Sequence, residues 1–137
     1  MKKEHIALAK HRLEKAVESV EDAKLLLKSN RLRGAMNRTY YSVLYGAKAL
    51  LATKAVDSSK HSGVATLFYR EFIEPGIVSR NAGRILNQLL RKRLKGDYTD
   101  FYSFPKEEIE KALKEADSFL AEIKRVLNKL IEKGDQI

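Results

Sequence analysis

Basic side chains recur on one face of a predicted helix in the middle of the chain. They occur at spacings of three or four residues, which place them on the same side of an α-helix, opposite five apolar residues between Ala82 and Leu90. Arginine offers a planar fork of donors for phosphate oxygens, and cations one helical turn apart can follow a phosphate backbone. The pattern predicts a surface for anions or nucleic acid. The residues of this polar face are Arg80, Arg84, Asn87, Arg91 and Lys95.

A structural alternative exists for the end of this basic segment. Cations near the C-terminus of a helix are stabilised by the negative end of the helix dipole, and the run from Arg91 to Lys95 lies near a predicted helix end. Both interpretations stay open at the level of sequence. The candidate binding residues of the segment are Arg84, Arg91 and Arg93.

A second stripe of basic and aromatic residues lies on an earlier predicted helix. Arg38, Tyr41, Tyr45 and Lys48 share one face, and such interleaving can stack bases and bind phosphate. Tyrosines at this spacing also commonly belong to a core or a dimer contact, which is the alternative. Asn37 lies in the same helix, where asparagine has a poor propensity and is expected to make hydrogen bonds. We therefore treat Arg38 and Tyr41 as candidate binding residues.

The three histidines predict no metal site. His5 and His11 lie six residues apart, which is a poor spacing for one helical face, and no other ligand clusters with them. His61 follows Lys60 at a predicted helix start, where free backbone N–H groups can bind an anion. A local structural hydrogen bond is the alternative role of this histidine. His61 is thus a candidate anion-binding residue, and no cofactor is predicted.

Apolar periodicity predicts helices from one end of the chain to the other. Ile6, Leu13, Val20 and Leu27 recur every seven residues, and apolar residues of the last segment alternate spacings of four and three. No strand pattern with hairpin turns occurs. The predicted helices run from about His5 to Ser29, from Leu32 to about Lys54, from Ser62 to about Phe72, from Ser79 to near Gly96 and from Pro105 to about Lys133, with a loop over residues 55–60 and a break at Pro75-Gly76.

Local signals support these boundaries and the packing of the helices. Ser62 and Ser79 are predicted N-caps, and Pro105 is the predicted first residue of the last helix. Small residues at Gly34 and Gly46 allow a neighbouring helix to approach the second helix. We predict an all-α fold, an antiparallel up-and-down bundle of about five helices in a single domain over residues 1–137, and a homodimer if an apolar stripe is left over. The second helix is expected to bury Tyr40, Val43, Ala47 and Leu50.

Composition and charge exclude several classes of protein. The chain has 137 residues, 44% of them hydrophobic, and no cysteine, which excludes disulfide scaffolds, thiolate zinc sites and cysteine nucleophiles. The sequence contains no signal-peptide pattern and no apolar segment of membrane-spanning length, so a cytoplasmic protein without a membrane partner is expected. The net charge of the chain is +9, and it is unevenly placed. Residues 30–96 contain thirteen basic but three acidic side chains. This asymmetry favours phosphates or acidic partners, the alternative being a solvated charged surface.

Four segments give the chain a resemblance to a known family. They are the run from Asn37 to Leu51, which contains NR-x-YY, then His61-Ser62-Gly63, Phe68-Tyr69-Arg70-Glu71-Phe72 and Asp97-Tyr98-Thr99-Asp100-Phe101. Together they resemble the HEPN domain family, and most of all its small prokaryotic UPF0332-type proteins. The resemblance covers about residues 5 to 130. It implies a helical bundle, frequent dimers and frequent pairing with a minimal nucleotidyltransferase, sometimes as a toxin-antitoxin module.

The sequence departs from the catalytic motif of that family. Many HEPN proteins are metal-independent ribonucleases with an R-x4-6-H motif, but no histidine of this chain follows an arginine at that spacing. Asp97 or Tyr98 stands about where the resemblance would place the histidine after Arg91. The resemblance therefore makes Asp97 and Tyr98 candidate binding residues, as it does Asn37. A carboxylate or phenol lacks the near-neutral pKa of histidine. We therefore predict a non-catalytic binding subunit for RNA, a nucleotide or a nucleotidyltransferase. The alternative is an atypical ribonuclease using Arg91 or Arg93 with Tyr98 or His61.

Overall fold

Five α-helices and one π-helical turn make up the regular structure of residues 2–98 and 103–135, which the computed structural model describes, with the backbone alone for residues 94–98 and 135. No strand occurs in these ranges, so the all-α prediction is confirmed. None of these helices is long and apolar enough to cross a membrane. The elements are α1 (Lys3–Lys28), α2 (Leu32–Thr53), α3 (His61–Phe68), the π-helical turn (Tyr69–Ile73), α4 (Arg80–Tyr98) and α5 (Lys106–Asp135).

Helix α2 is the centre of the bundle. It packs against α1, α3, α4 and α5, and thirteen of its residues are buried. The face that carries Arg38, Tyr41, Tyr45 and Lys48 stays exposed or half-buried, and the other elements cover the apolar remainder of the helix. The four residues predicted to be buried on α2, Tyr40, Val43, Ala47 and Leu50, are all in the core.

Gly46 lets α5 approach α2 closely. A Cβ atom at Gly46 would lie 2.8 Å from Leu120 Cδ2 and 3.0 Å from Phe119 Cε1. Both α5 side chains are buried, so they have little room to move aside. The predicted close approach at this glycine is confirmed. A Cβ atom at Gly34 would lie 3.4 Å from its nearest neighbour, Leu26 Cδ1, which is an ordinary van der Waals contact.

The predicted cap at Ser79 is confirmed. The Ala82 backbone N–H donates to Ser79 Oγ at 3.2 Å, which satisfies one free donor of the first turn of α4. Glu122 of α5 accepts hydrogen bonds from both the Ser79 hydroxyl and the Ser79 backbone N–H, each at 2.7 Å. The start of α4 is therefore fixed to the middle of α5.

The predicted cap at Ser62 is wrong. Helix α3 begins one residue earlier, at His61, and the extended residue Lys60 precedes it without a side-chain cap. The reason is the loop before α3, in which the Ser58 hydroxyl accepts a hydrogen bond from the Lys60 backbone N–H at 3.2 Å. Ser58 also fills the space beside Gly63, where an added Cβ would lie 2.9 Å from Ser58 Cβ. The loop thus packs directly on the first turn of α3.

The third predicted helix changes its hydrogen bonding before Phe72. At Tyr69 the α-helical pattern gives way to the π-helical turn, in which the Glu74 backbone N–H donates to Tyr69 O at 2.8 Å. That bond spans five residues, as in a π-helix. The other differences are small. Helix α5 begins at Lys106, after Pro105, and continues through Gly134, and α4 extends to Tyr98.

We expect the substitution Gly46→Val to destabilise the fold. The larger side chain must displace Phe119 and Leu120 from a filled core, and overpacking of this kind costs about 1 to 3 kcal/mol. The free energy of unfolding in urea measures the effect. Gly34→Ala is the matched control and should keep or raise stability, because alanine favours the helix. Equal stability of Gly46→Val and the wild type would contradict the close packing of α2 on α5.

Candidate anion-binding site

Three of the predicted binding residues meet where α2, α3 and α4 converge. The rings of Tyr41 on α2 and His61 on α3 pack edge to face, with centroids 5.8 Å apart. Arg93 on α4 places its guanidinium carbon 5.5 Å from the centre of the Tyr41 ring. Its Nη2 donates a hydrogen bond of 3.3 Å to the Tyr41 hydroxyl. The cluster therefore joins residues that are far apart in the sequence.

Tyr40 forms the buried side of the same cluster. The Arg93 guanidinium carbon lies 5.3 Å from the Tyr40 ring centre, and the Tyr40 and His61 ring centres are 5.6 Å apart. A cation near the faces of two aromatic rings is attracted by their quadrupoles, more strongly where water is excluded. Tyr40 was predicted only as a core residue, so its role in orienting Arg93 was missed. The signal for this role in the sequence was its place beside Tyr41 in the NR-x-YY motif. In the structure the two ring centres lie 5.5 Å apart.

A pocket opens beside this cluster at the start of α3, and we call it the α3 pocket. Its volume is about 430 Å³. The free backbone N–H groups of a helix start favour an anion, and an arginine and a lysine supply two positive charges. Among the lining residues that the structure describes there is no carboxylate. The lining residues are Ser59, Lys60, His61, Ser62, Leu90 and Arg93.

The loop that carries Lys60 is held in place by Asp57. The Asp57 carboxylate accepts a 2.8 Å hydrogen bond from Arg12 Nη2 and another from the Ser58 backbone N–H, and Lys48 Nζ lies 3.6 Å away. Arg12 also donates to the Lys48 carbonyl oxygen at 3.0 Å. Partial burial opposes ionisation of Asp57, but the Ser58 hydrogen bond and the charges of Arg12 and Lys48 outweigh it and lower its pKa below the usual 3.8.

Arg84 and Arg91, two further candidates on α4, do not line the α3 pocket. Arg84 is exposed and makes a 3.0 Å ion pair with Glu115 of α5, besides hydrogen bonds to Asn81 and Gln88. Arg91 is exposed. The polar face predicted for α4 is thus present in the described part of the helix. Arg93 is not on that face, and its guanidinium lies near the tyrosine rings of α2. The side chains of Asp97, Tyr98 and Lys95 lie outside the described residues.

The two further candidates on α2 are not part of the cluster either. Asn37 is half-buried and Arg38 is exposed, and neither lines the α3 pocket. Their role stays a prediction. Among the residues with described side chains, no group of three or more histidine or acidic side chains could hold a metal ion.

Comparisons with known proteins agree with the resemblance seen in the sequence. The model of the HEPN domain matches residues 9–126. A "UPF0332 protein" of Thermotoga maritima is 40% identical over 116 residues, which cover 85% of this chain and 88% of the relative. "Putative toxin MJ0605" of Methanocaldococcus jannaschii is 35% identical over 119 residues, covering 87% and 88%. "Putative toxin MJ0142" of the same organism is 36% identical over 124 residues, covering 90% and 84%.

We expect Asp57→Asn to lower stability at neutral pH by about 0.2 to 1 kcal/mol, the range of solvent-exposed ion pairs, because 46% of the Asp57 side chain is exposed. The folded-state pKa of Asp57 is lowered. Its contribution is therefore present above the unfolded pKa of about 4 and is lost as the pH falls through the folded pKa. Urea unfolding at pH 7, 5 and 3 should show the two proteins converging at the lowest pH. A difference that stays constant down to pH 3 would contradict this account, and Glu110→Gln, at an exposed carboxylate of α5, is the control.

Proposed function

The chain belongs to the HEPN domain family, and on that premise we propose that it is a non-catalytic subunit that binds RNA through the α3 pocket. Two relatives carry the words "Putative toxin" in their names. On the basis of these names we propose that this chain acts in a toxin-antitoxin-like module. A minimal nucleotidyltransferase is the partner that the family resemblance suggests for such a module.

The observation that carries the proposal is the position of Arg93. Its guanidinium lies near the rings of Tyr40 and Tyr41 and lines the same pocket as His61 and Lys60. An arginine whose orientation is set before binding loses less conformational entropy when it contacts a phosphate. The helix-dipole alternative gives no reason for these ring contacts. The surplus of basic residues in the middle of the chain adds a field that attracts a polyanion.

One observation favours a ribonuclease as the second candidate. His61 and Arg93 line the same pocket, although they are not in the R-x4-6-H order of the sequence motif. A histidine can accept or donate a proton near neutral pH, and an arginine can stabilise charge that develops on a phosphate. Cleavage by general acid and base requires a second titrating group as well. Among the described lining residues of the α3 pocket, His61 is accompanied by no second histidine and no carboxylate, and for this reason we favour binding.

We propose a homodimer that uses a second surface, the α1–α5 groove. The groove has a volume of about 570 Å³ and an apolar floor. Val17 within it is 43% exposed, and burying such a side chain against a second copy would be favourable. Three glutamates and Lys10 line its α1 edge and oppose Lys124 on its α5 edge, and a two-fold axis along the groove would pair the net acidic edge of one copy with the basic edge of the other. The apolar floor consists of Leu13, Val17, Leu127 and Ile131.

We expect Arg93→Ala to weaken RNA binding by about tenfold or more, since a hydrogen bond to a charged group contributes about 1.5 to 3 kcal/mol. Fluorescence anisotropy with a labelled RNA oligonucleotide measures the affinity. The slope of log affinity against log salt should fall by about one unit. Arg93→Lys keeps the charge but not the planar fork, and it should give an intermediate affinity.

Arg125→Ala is the matched control for this experiment. It removes one charge from an exposed position on α5, outside the α3 pocket. Equal weakening by Arg93→Ala and Arg125→Ala would show that only the overall charge matters, and the proposed site would be wrong. The wild type should leave the RNA intact in the absence of metal. Prompt cleavage that disappears in both His61→Ala and Arg93→Ala would establish the ribonuclease instead.

In solution we expect twice the monomer mass of 15.6 kDa by sedimentation equilibrium. Val17→Glu should yield the monomer, because it adds a carboxylate to the apolar floor beside Glu14 and Glu18. Leu25→Glu is the control on the same helix, since Leu25 is 66% exposed and does not line the groove. A wild type that sediments at 15.6 kDa at high concentration would refute the dimer.

A further inference from the structure

The α3 pocket is one end of a longer groove between α3 and α4. A neighbouring pocket of about 360 Å³ shares Ser62 and Leu90 with it. A further pocket of about 240 Å³ shares Tyr69 and Asn87 with that neighbour. We call the three together the α3–α4 groove. It follows α4 from Arg93 back to Arg80, a distance of about 20 Å at the helical rise per residue.

Tyr69 lies at the junction of the second and third pockets. It is 55% exposed, although a tyrosine ring carries a large apolar surface. Tyr69 begins the π-helical turn, and such turns are frequent at functional sites. Phe68 and Phe72, on either side of it, point into the core. The ring of Tyr69 is thus held on a rigid segment between two open spaces.

The charges along the groove fit a polyanion. None of the described residues that line the three pockets is acidic. Lys60 and Arg93 provide positive charge at one end, and Arg80 provides it at the other. Arg84 lies beside Arg80, but its ion pair with Glu115 already offsets part of its charge. The α1–α5 groove is different, because its described lining combines three glutamates with two lysines and its net negative charge disfavours phosphates.

We propose that the α3–α4 groove binds single-stranded RNA and that one base stacks on Tyr69. The inference rests on the proposed function, because the α3 pocket forms one end of the groove. Phosphates would contact Arg93 and Lys60 at that end and Arg80 at the other. A single strand can turn an unstacked base onto an aromatic ring, whereas a duplex keeps its base faces inside its own stack. Tyr69 therefore distinguishes single strands from duplexes.

The test compares a fluorescein-labelled RNA octamer with the same octamer annealed to its complement. Tyr69→Ala should weaken binding of the single strand by about 5-fold to 100-fold, the range expected for loss of one stacked base, and should leave the duplex affinity unchanged. Tyr69→Phe keeps the ring and should bind as the wild type does. Leu25→Ala is the control, since it removes an exposed apolar side chain of α1, outside the groove.

The outcomes separate this inference from the proposed function. If Arg93→Ala weakens binding but Tyr69→Ala binds the octamer as the wild type does, the stacking site is wrong and the α3 pocket stands. If the wild type binds neither RNA, both proposals fail. If Tyr69→Ala changes the sedimenting mass while RNA affinity stays the same, the groove is a protein interface, which overturns the inference. Circular dichroism of each variant confirms that its helices are intact.

Discussion

The burial of the apolar surface of α2 is the constraint on which the rest of the structure depends. That surface cannot be left in contact with water, so α1, α3, α4 and α5 pack against it, while the face with Arg38, Tyr41, Tyr45 and Lys48 stays exposed or half-buried. Gly46 removes the side chain that would keep α5 away. Tyr40 and Tyr41 belong to the same helix, and they orient Arg93. The geometry of the candidate site is therefore set by the packing of the core, and a change that loosens α2 also loosens the site.

The sequence predicted the helices well because each leaves a local signal. The heptad spacing of α1, the alternating spacing of α5 and the cap at Ser79 depend on neighbouring residues alone. The meeting of His61 with Arg93 depends on how three helices pack, and no local pattern encodes it. The π-helical turn was missed because its one longer hydrogen bond hardly changes the apolar periodicity. Ser62 was misread because the sequence does not show that a loop already covers the start of α3.

The α3–α4 groove and the α1–α5 groove differ in the sign of their charge, and each is therefore expected to bind a different kind of partner. The α3–α4 groove is lined by basic and uncharged residues, whereas the α1–α5 groove combines an apolar floor with glutamates. In a chain with a net charge of +9, a local acidic edge reduces the repulsion that a second copy would meet. The same edge directs a nucleic acid away from it. One small helical bundle can thus offer distinct surfaces to RNA and to protein.

The contact between Ser58 and Gly63 has a consequence for how the chain can diverge. With Ser58 in place, a residue larger than glycine at position 63 would collide with the loop, so a substitution at either position alters what the other tolerates. Alanine at 63 becomes acceptable once position 58 is glycine, because Ser58 Cβ itself lies too close, or once the loop shifts. The two positions are therefore expected to change together among relatives. Their covariation would trace how the loop that carries Ser59 and Lys60 to the α3 pocket is reshaped without disturbing the bundle beneath it.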